Sequence, residues 1–553
     1  MTEATHWSRF LRHRVHRRRA LAGGAALIAG AAIYAACDGG GDDAGPIASS
    51  PSPGPRRGGS LRTATSVRFT SGLDPQTEHG AGLTIFPRLY GYLLHVDPRD
   101  DTLILDHAES VEQPDETTYI FKLRGDVRFH DIEPVSGRAV QARDVVASIR
   151  RHQRNPLVTE KPWHDEILDT AEATDDRTVR ITTKRPYVWS LHHIGDVNAG
   201  AIIPADLIEP LQDITARAAG SGPFVLEAYD GRAARIRRND AYYAGAPFLD
   251  AMEWRIFDDD AARLDAFARR EADVTPNRNR DEAESLTDEH GDDVTTARTP
   301  SLATVALGLR IDAPPFNDER VREALDLALD RTTILHDLLS GDGQPAGPVN
   351  PNLAGGYWAL PRRDLERAAG ISLTVEGRRS RARRLLGLAG AEEAAFALQV
   401  ADVPALRDLA GVVASHLRAI GLSVTVEAQQ ELVWYTNFHR GKFQASLASF
   451  PPYESPDIPL RLLHARGAHT GVNPFGYADA ETDALIEETW RETDRERRRG
   501  GVLAVQRRAI EARPAIYLVT GAGYSTAWSY VRDRAAELPG SLPQYHYRQW
   551  LDE

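Results

Sequence analysis

The chain has 553 residues and a net charge of −13, with 42% hydrophobic and 26% charged residues. That length suits two or more domains around a sizeable core, and the acidic balance excludes a nucleic-acid-binding protein, which needs a basic face. One cysteine in the whole chain excludes an internal disulfide framework and a cysteine-based zinc cluster.

Residues 1–36 open with Arg9, Arg12, Arg14, Arg17, Arg18 and Arg19 and run into an uncharged apolar stretch from Ala20 to Ala36. The small residues Ala35 and Ala36 stand just before Cys37. Basic segment, apolar segment and small-residue cleavage site together read as a secretory signal peptide. With cysteine as the next residue, the segment resembles a bacterial lipoprotein signal, in which the Cys37 thiol carries the lipid. Tyr34 stands where that signal has an aliphatic residue, and Arg18-Arg19 resembles a twin-arginine export signal. The alternative is an uncleaved anchor, since about 17 apolar residues lie at the lower edge of a membrane span. Residues 37–59, rich in Gly, Ser, Pro and Asp, read as a flexible, lipid-anchored linker with no hydrophobic period. No later stretch is long and apolar enough to cross a membrane.

The folded body is expected to begin near Ser60. Thr118 to Arg124 alternates, with Tyr119, Phe121 and Leu123 on one face, which predicts a half-buried strand after a turn at Asp115-Glu116-Thr117. The pattern repeats at Thr178 to Thr182 after Asp175-Asp176-Arg177, so both read as hairpin returns. From Asp318 onward, Val321, Ala324, Leu325, Ala328, Leu335 and Leu338 form one apolar stripe, which predicts a helix with Asn317 or Asp318 as its N-cap. Phe396 to Val400 is a strand; Pro404 to Ile420 has helical spacing through Leu406, Leu409, Val413 and Leu417 and stops at Gly421; Leu422 to Val426 is a strand again. That order implies a parallel βαβ crossover. The N-terminal part therefore reads as a mixed α+β region and the C-terminal part as α/β.

Several blocks in this order resemble the extracytoplasmic solute-binding proteins of peptide/nickel-type ABC importers. They are Gly58-Gly59-Ser60-Leu61-Arg62, Leu73-Asp74-Pro75, Tyr119 to Arg124, Val127-Arg128-Phe129-His130-Asp131 and Ala142-Arg143-Asp144-Val145-Val146. Gly220-Ser221-Gly222-Pro223-Phe224, Arg238 to Tyr243, Arg320 to Leu325, and Asp483 to Ile486 with Asp494 and Arg498 follow. The resemblance implies a two-lobed periplasmic-binding-protein fold of type II-like α/β architecture, with an enlarged first lobe and hinge-connected mixed sheets. The first lobe would take residues 60–299 and 515–553, the second 300–514, with crossings near Thr299–Leu302 and Pro514–Gly521. Where the turn after Asp131 usually has Gly, this chain has Ile132, followed by the insertion Glu133 to Gly137.

The resemblance also supplies the candidate site. Peptide-binding members hold the ligand's ammonium with a second-lobe aspartate, because a buried ammonium needs a charged partner. Here that position is Pro452, within Ala448 to Asp457, and Tyr453 keeps the pattern beside it. Glu454 is the carboxylate available to take the role. Glu78, His79 and Gly80 match a cleft-lining segment of the first lobe, and Trp434, Tyr435 and Phe450 are the candidate aromatic walls. His130-Asp131-x-Glu133 is read as a structural turn and not as a metal site, His416 as a surface histidine, and the run Arg495 to Arg499 as a solvated helix face.

No catalytic residue, metal or cofactor is expected. There is no Gly-x-Ser-x-Gly elbow and no His-Glu-x-x-His, so an envelope hydrolase is the weaker alternative. The expected function is a lipid-anchored, extracytoplasmic, monomeric receptor at the outer face of the cytoplasmic membrane or in the periplasm. It would capture a small solute such as an oligopeptide and deliver it to ABC permease and ATPase subunits. The same fold used as a sensor or chemoreceptor partner is the other alternative.

Overall fold

The fold comes from a computed structural model, which describes residues 54–69, 72–77, 81–154, 163–208, 214, 218–450, 455–467, 473–534 and 547–552. A twelve-stranded mixed sheet runs through it. Its centre is the long strand Ala515–Trp528. Residues 515–519 of that strand pair with Thr304–Leu309, and residues 519–521 with Gly343–Pro345. Its second half pairs with Val294–Pro300 on one edge and Val274–Asn277 on the other. From there the sheet continues through Ser60–Thr65, Ala251–Ile256, Ala233–Arg238 and Phe224–Tyr229 in one direction. In the other it continues through Ala445–Phe450, Ala395–Ala401 and Ser423–Gln429.

The larger core spans both halves of this sheet, and a second packs on one of them. One contains Phe86, Phe121, Trp163, Trp189 and Ala527; the other contains Leu307, Leu325, Leu398, Val413, Leu447 and Leu518. The long strand gives Leu518 to one core and both Ala515 and Ala527 to the other. This is a two-lobed α/β fold. Val294–Pro300 and Thr304–Leu309 run antiparallel beside Ala515–Trp528, so both strands that join the halves lie side by side.

The hairpins expected from alternation are present. Thr118–Leu123 pairs antiparallel with Ala108–Glu112 and with Thr178–Thr183, which itself returns from Leu168–Asp175. Asp115 and Asp175 each accept the backbone N–H two residues on, at 2.8 Å, which is how a short acid fixes such a turn. The βαβ crossover is Ala395–Ala401, Pro404–Arg418 and Ser423–Gln429, with the two strands parallel. Gly421 has φ 104, a conformation that favours glycine.

Three expectations are corrected. The stripe from Val321 to Leu338 is two helices, Glu319–Ala328 and Arg331–Leu339. Leu329 leaves the helix with ψ 112, and Asp330 caps the second helix by accepting the N–H of Thr332. His416 is buried, not on the surface, and its Nδ1 accepts the Asp330 N–H at 3.3 Å. The run Arg495 to Arg499 is a solvated face only in part: Glu496 and Arg497 are exposed, but Arg498 is 1% exposed, and the Arg499 Nε donates to the Tyr357 carbonyl at 2.6 Å.

The turn that lacks its glycine at Ile132 takes another path. The left-handed positions move to Ser136 (φ 50) and Gly137 (φ 68), and Gly137 N–H closes the loop on the His130 carbonyl at 3.3 Å. The motif Gly220-Ser221-Gly222 has a steric cause. A Cβ at Gly220 would lie 1.8 Å from the Leu89 carbonyl oxygen, and one at Gly222 would lie 2.4 Å from that of Arg88. Two backbones pass here too closely for any side chain. Asp144 of the Ala142–Arg154 helix is fully buried and accepts from Gln141 N, Ala205 N and both terminal nitrogens of Arg138 at 2.6–2.9 Å.

Candidate functional site

The crossing segment between Pro300 and Thr304 is tied down by side-chain amides and hydroxyls. Asn350 Nδ2 donates to the Ala303 carbonyl at 2.9 Å and reaches the hydroxyls of Thr304 and Thr520 at 3.1 Å. Asn352 Nδ2 donates to the Ser301 carbonyl at 2.8 Å. Thr520, on the second crossing strand, donates to the Ala303 carbonyl at 2.8 Å. An apolar pocket opens beside this knot, lined by Leu302, Leu353, Phe450, Leu462, Phe475 and Tyr517, with Thr304 and Asn350 as its polar groups. Its cavity volume is about 20 Å³, within an open recess of about 440 Å³ that includes solvent. A concave, mostly apolar pocket with a few placed polar groups is the usual form of a small-molecule site.

Of the candidate residues, Phe450 reaches this pocket from the end of the Ala445–Phe450 strand. Trp434 lies on the Glu431–His439 helix and shares Phe438 with it: Phe438 is 5.4 Å from the Trp434 ring and 6.0 Å from Phe450. The Trp434 indole N–H donates to Ser446 Oγ at 3.0 Å, so it ties helix to strand and does not line the pocket. Tyr435 is 36% exposed and packs against His439, with 4.3 Å between the rings. Glu78, His79, Gly80, Pro452, Tyr453, Glu454 and Cys37 lie outside the described residues. Sequence reading did not single out Asn350, Thr304, Phe475 or Tyr517. Pro348-Val349-Asn350-Pro351-Asn352 carries only a turn signal, and the other three are apolar or β-branched strand and loop residues.

A second constellation joins distant parts of the chain. On one side are the turn Asp97 to Asp101, which closes the hairpin of Leu94–Asp97 and Thr102–Leu105, and the segment Tyr187 to His193. On the other are Ala354 to Trp358, the Asp457–Arg461 helix, and Trp490 to Arg499. Two buried carboxylates organise it. Asp101 accepts from His192 Nε2 at 2.6 Å, Trp358 Nε1 at 3.3 Å and an Arg495 terminal nitrogen at 3.4 Å. Asp457 accepts from Trp490 Nε1 at 2.7 Å, from the Tyr187 hydroxyl and from His193 Nε2 at 3.4 Å, and it pairs with Arg461 at 3.1 Å. Burial alone would push the Asp457 carboxyl up; Arg461, His193 and Tyr187 outweigh it and hold it below the usual range. Burial takes His193 down to about 4, so its ring is neutral at pH 7. Trp189 and Trp358 meet edge to face at 5.2 Å, with the Arg498 guanidinium 4.9 Å from the Trp189 ring.

A serine–histidine contact also occurs. His107 Nε2 and Ser221 Oγ are 2.7 Å apart, but both residues are 1% exposed, and His107 packs directly under Gly91. Nothing the size of a substrate reaches that hydroxyl. No group of His, Cys, Asp and Glu suited to a metal ion occurs among the described residues, and no described helix is long and apolar enough to cross a membrane. His130 serves the fold: it is 2% exposed and its Nε2–H donates to the Gly222 carbonyl at 3.1 Å.

The chain is similar over most of its length to known proteins. The oligopeptide-binding protein AppA of Bacillus subtilis (strain 168) is 24% identical over 524 residues, which is 90% of this chain and 91% of that protein. The glutathione-binding protein GsiB of Pectobacterium atrosepticum is 29% identical over 294 residues, 52% of this chain and 55% of that protein. Among solved structures, DppA from Helicobacter pylori in complex with the peptide STSA superposes with a TM-score of 0.77 at 21% identity, covering 90% of this chain and 99% of the other. The family model for bacterial extracellular solute-binding proteins, family 5 (middle region), matches residues 102–467. That is well over half of the chain, and it makes the protein a member of the family 5 extracellular solute-binding proteins, substrate receptors that serve ABC importers.

Proposed function

We propose that the protein is a lipid-anchored receptor that captures a peptide-like solute between its two lobes and presents it to the permease of an ABC importer driven by ATPase subunits. The observation that carries this reading is the pair of segments 300–304 and 519–522, side by side next to an apolar pocket, with the Ser301 N–H on the Gly521 carbonyl at 2.9 Å. Two adjacent crossings allow a bend about a single axis, the geometry of a hinge. Residues 60–299 and 515–553 then form one lobe and residues 300–514 the other. Names of relatives that bind oligopeptide, glutathione and the peptide STSA support a peptide-like solute. Pro452 supplies no charge for a free ammonium, so the solute is held through its apolar parts, against Phe450 and its neighbours, and through Glu454 and Glu78.

The test is mass spectrometry of small molecules released by denaturing the protein purified from its own cells. A bound peptide supports the reading. A non-peptide solute overturns the peptide assignment and names the replacement. For the anchor, Cys37→Ser should release the protein from membranes; retention of that variant in the membrane fraction would mean that residues 20–36 stay uncleaved and hold it there.

A further inference from the structure

The seam around Asp101 and Asp457 is reciprocal. On the two-lobe reading just proposed, on which this inference rests, Asp101 belongs to the first lobe and Asp457 to the second. Each carboxylate takes two donors from the opposite lobe. Asp101 receives Trp358 Nε1 and Arg495; Asp457 receives the Tyr187 hydroxyl and His193 Nε2. Each also keeps donors on its own lobe: His192 for Asp101, and Trp490 with Arg461 for Asp457. Opening would therefore orphan neither charge. It would exchange two cross-lobe donors for water at each carboxylate.

That arrangement suits a contact made and broken repeatedly. A buried carboxylate with no partner left behind is very costly, whereas one that retains a partner and gains water is not. The desolvation penalty of closure and the charge-assisted bonds it forms are of similar size, so the seam selects one closed geometry and leaves the open form within reach. The backbone carries the same register, with Val188 N–H on the Trp490 carbonyl at 2.8 Å and Ala354 N–H on the Pro98 carbonyl at 2.9 Å. Asp101 itself has φ 66, a left-handed conformation that aspartate tolerates, at the tip of the hairpin that reaches the other lobe.

We propose that Asp101 and Asp457 are the two halves of a clasp that sets how far the lobes stand open without solute, and thereby how tightly any solute is held. A receptor whose closed state is less populated binds more weakly in proportion. The Asp457–Arg461 helix that carries one half of the clasp also brings Pro459 to the wall of the apolar pocket, so clasp and pocket share one element.

Amide hydrogen exchange on the full-length protein in detergent, without added solute, tests this. The amides of Val188 and Ala354 are hydrogen-bonded across the seam and report opening, while those of the Thr304–Leu309 strand report global unfolding. The variants are Tyr187→Phe and Trp358→Phe, alone and together; each removes one cross-lobe donor, the first keeping its ring and the second replacing the buried indole with a smaller phenyl. The expected result is seam exchange at least tenfold faster than strand exchange in the unaltered protein, and at least tenfold faster again in the double variant, with strand exchange unchanged. Fast seam exchange that the variants do not alter overturns the clasp and leaves the two lobes standing. Seam amides as slow as the strand in the unaltered protein overturn both, because the halves then do not part. The single variants keep the test decisive should the double variant lose its fold.

Discussion

Acid should unfold this protein in part through His130, and the size of the effect follows from its surroundings. The ring is 2% exposed, its Nε2–H donates to the Gly222 carbonyl, and its Nδ1 is buried with no hydrogen-bond partner among the described residues. A second proton would sit on Nδ1 with nothing to accept from it. Burial accordingly takes the group from 6.5 to about 4, against the pull of the Gly222 carbonyl and with a small contribution from Arg237. In the unfolded chain the ring protonates near 6.5. Between the two values the unfolded state binds more protons, so stability is complete above pH 6.5 and is lost as pH falls toward 4. At 1.36 kcal/mol per pH unit the full loss is about 3 kcal/mol, of which about 2 kcal/mol has developed by pH 4.5. His130→Gln keeps a donor for Gly222 and cannot take up the proton. Urea denaturation at pH 7, 6, 5 and 4.5 should show the wild-type stability falling more steeply than that of the variant, by about 2 kcal/mol over the series. Parallel curves for the two proteins would refute the idea of a neutral, desolvated ring.

Other consequences are as direct. Asp144→Ala should cost about 2–3 kcal/mol, because it leaves two backbone N–H groups without their buried acceptor while Arg138 keeps Asp206; a loss under about 1 kcal/mol in denaturant would show that water replaces the carboxylate freely. Gly220→Ala places a methyl group 1.8 Å from the Leu89 oxygen and should abolish recovery of folded protein; normal yield with an unchanged melting curve would contradict the close approach. Ser446→Ala and Phe450→Ala separate packing from binding. The first removes the Trp434 partner and should cost about 1 kcal/mol of stability with co-purified solute unchanged. The second opens the pocket wall and should reduce the solute retained through purification; if the two variants retain solute equally, Phe450 does not face it.

Much of the fold could be read from periodicity. Tyr119, Phe121 and Leu123 are buried on one face, and Leu409, Val413 and Leu417 line the inner side of their helix, because local alternation and a buried neighbour agree there. The break at Leu329 was hidden by the same rule: the apolar stripe runs straight across it, while the stop comes from Asp330 capping a new helix and accepting from Thr332 and Thr333. Arg498 illustrates the harder case. Five consecutive charged residues look solvated until Trp189 and Trp358, far away in the chain, close over the helix. His416 is buried for a similar reason, since Asp330 comes to it from another helix. Phe450 was legible as an aromatic wall only through family resemblance. Asn350 was not, because its three partners belong to two crossing strands that meet only in the folded molecule.

The strand shared by both halves of the sheet has a consequence for the order in which the molecule can be assembled. Thr304–Leu309 on one side and Val274–Asn277 on the other both need Ala515–Trp528 as a neighbour, and that strand is made after both. A polypeptide that is synthesised, or threaded through an export channel, from its N-terminus cannot complete the first pairing until residues 515–519 have emerged, nor the second until Ala527 has. Everything before Ala515 travels with an open sheet edge in each half, ready to stay unfolded in transit. A stop codon anywhere before Ala515 would spoil both lobes at once, however far upstream one of them begins.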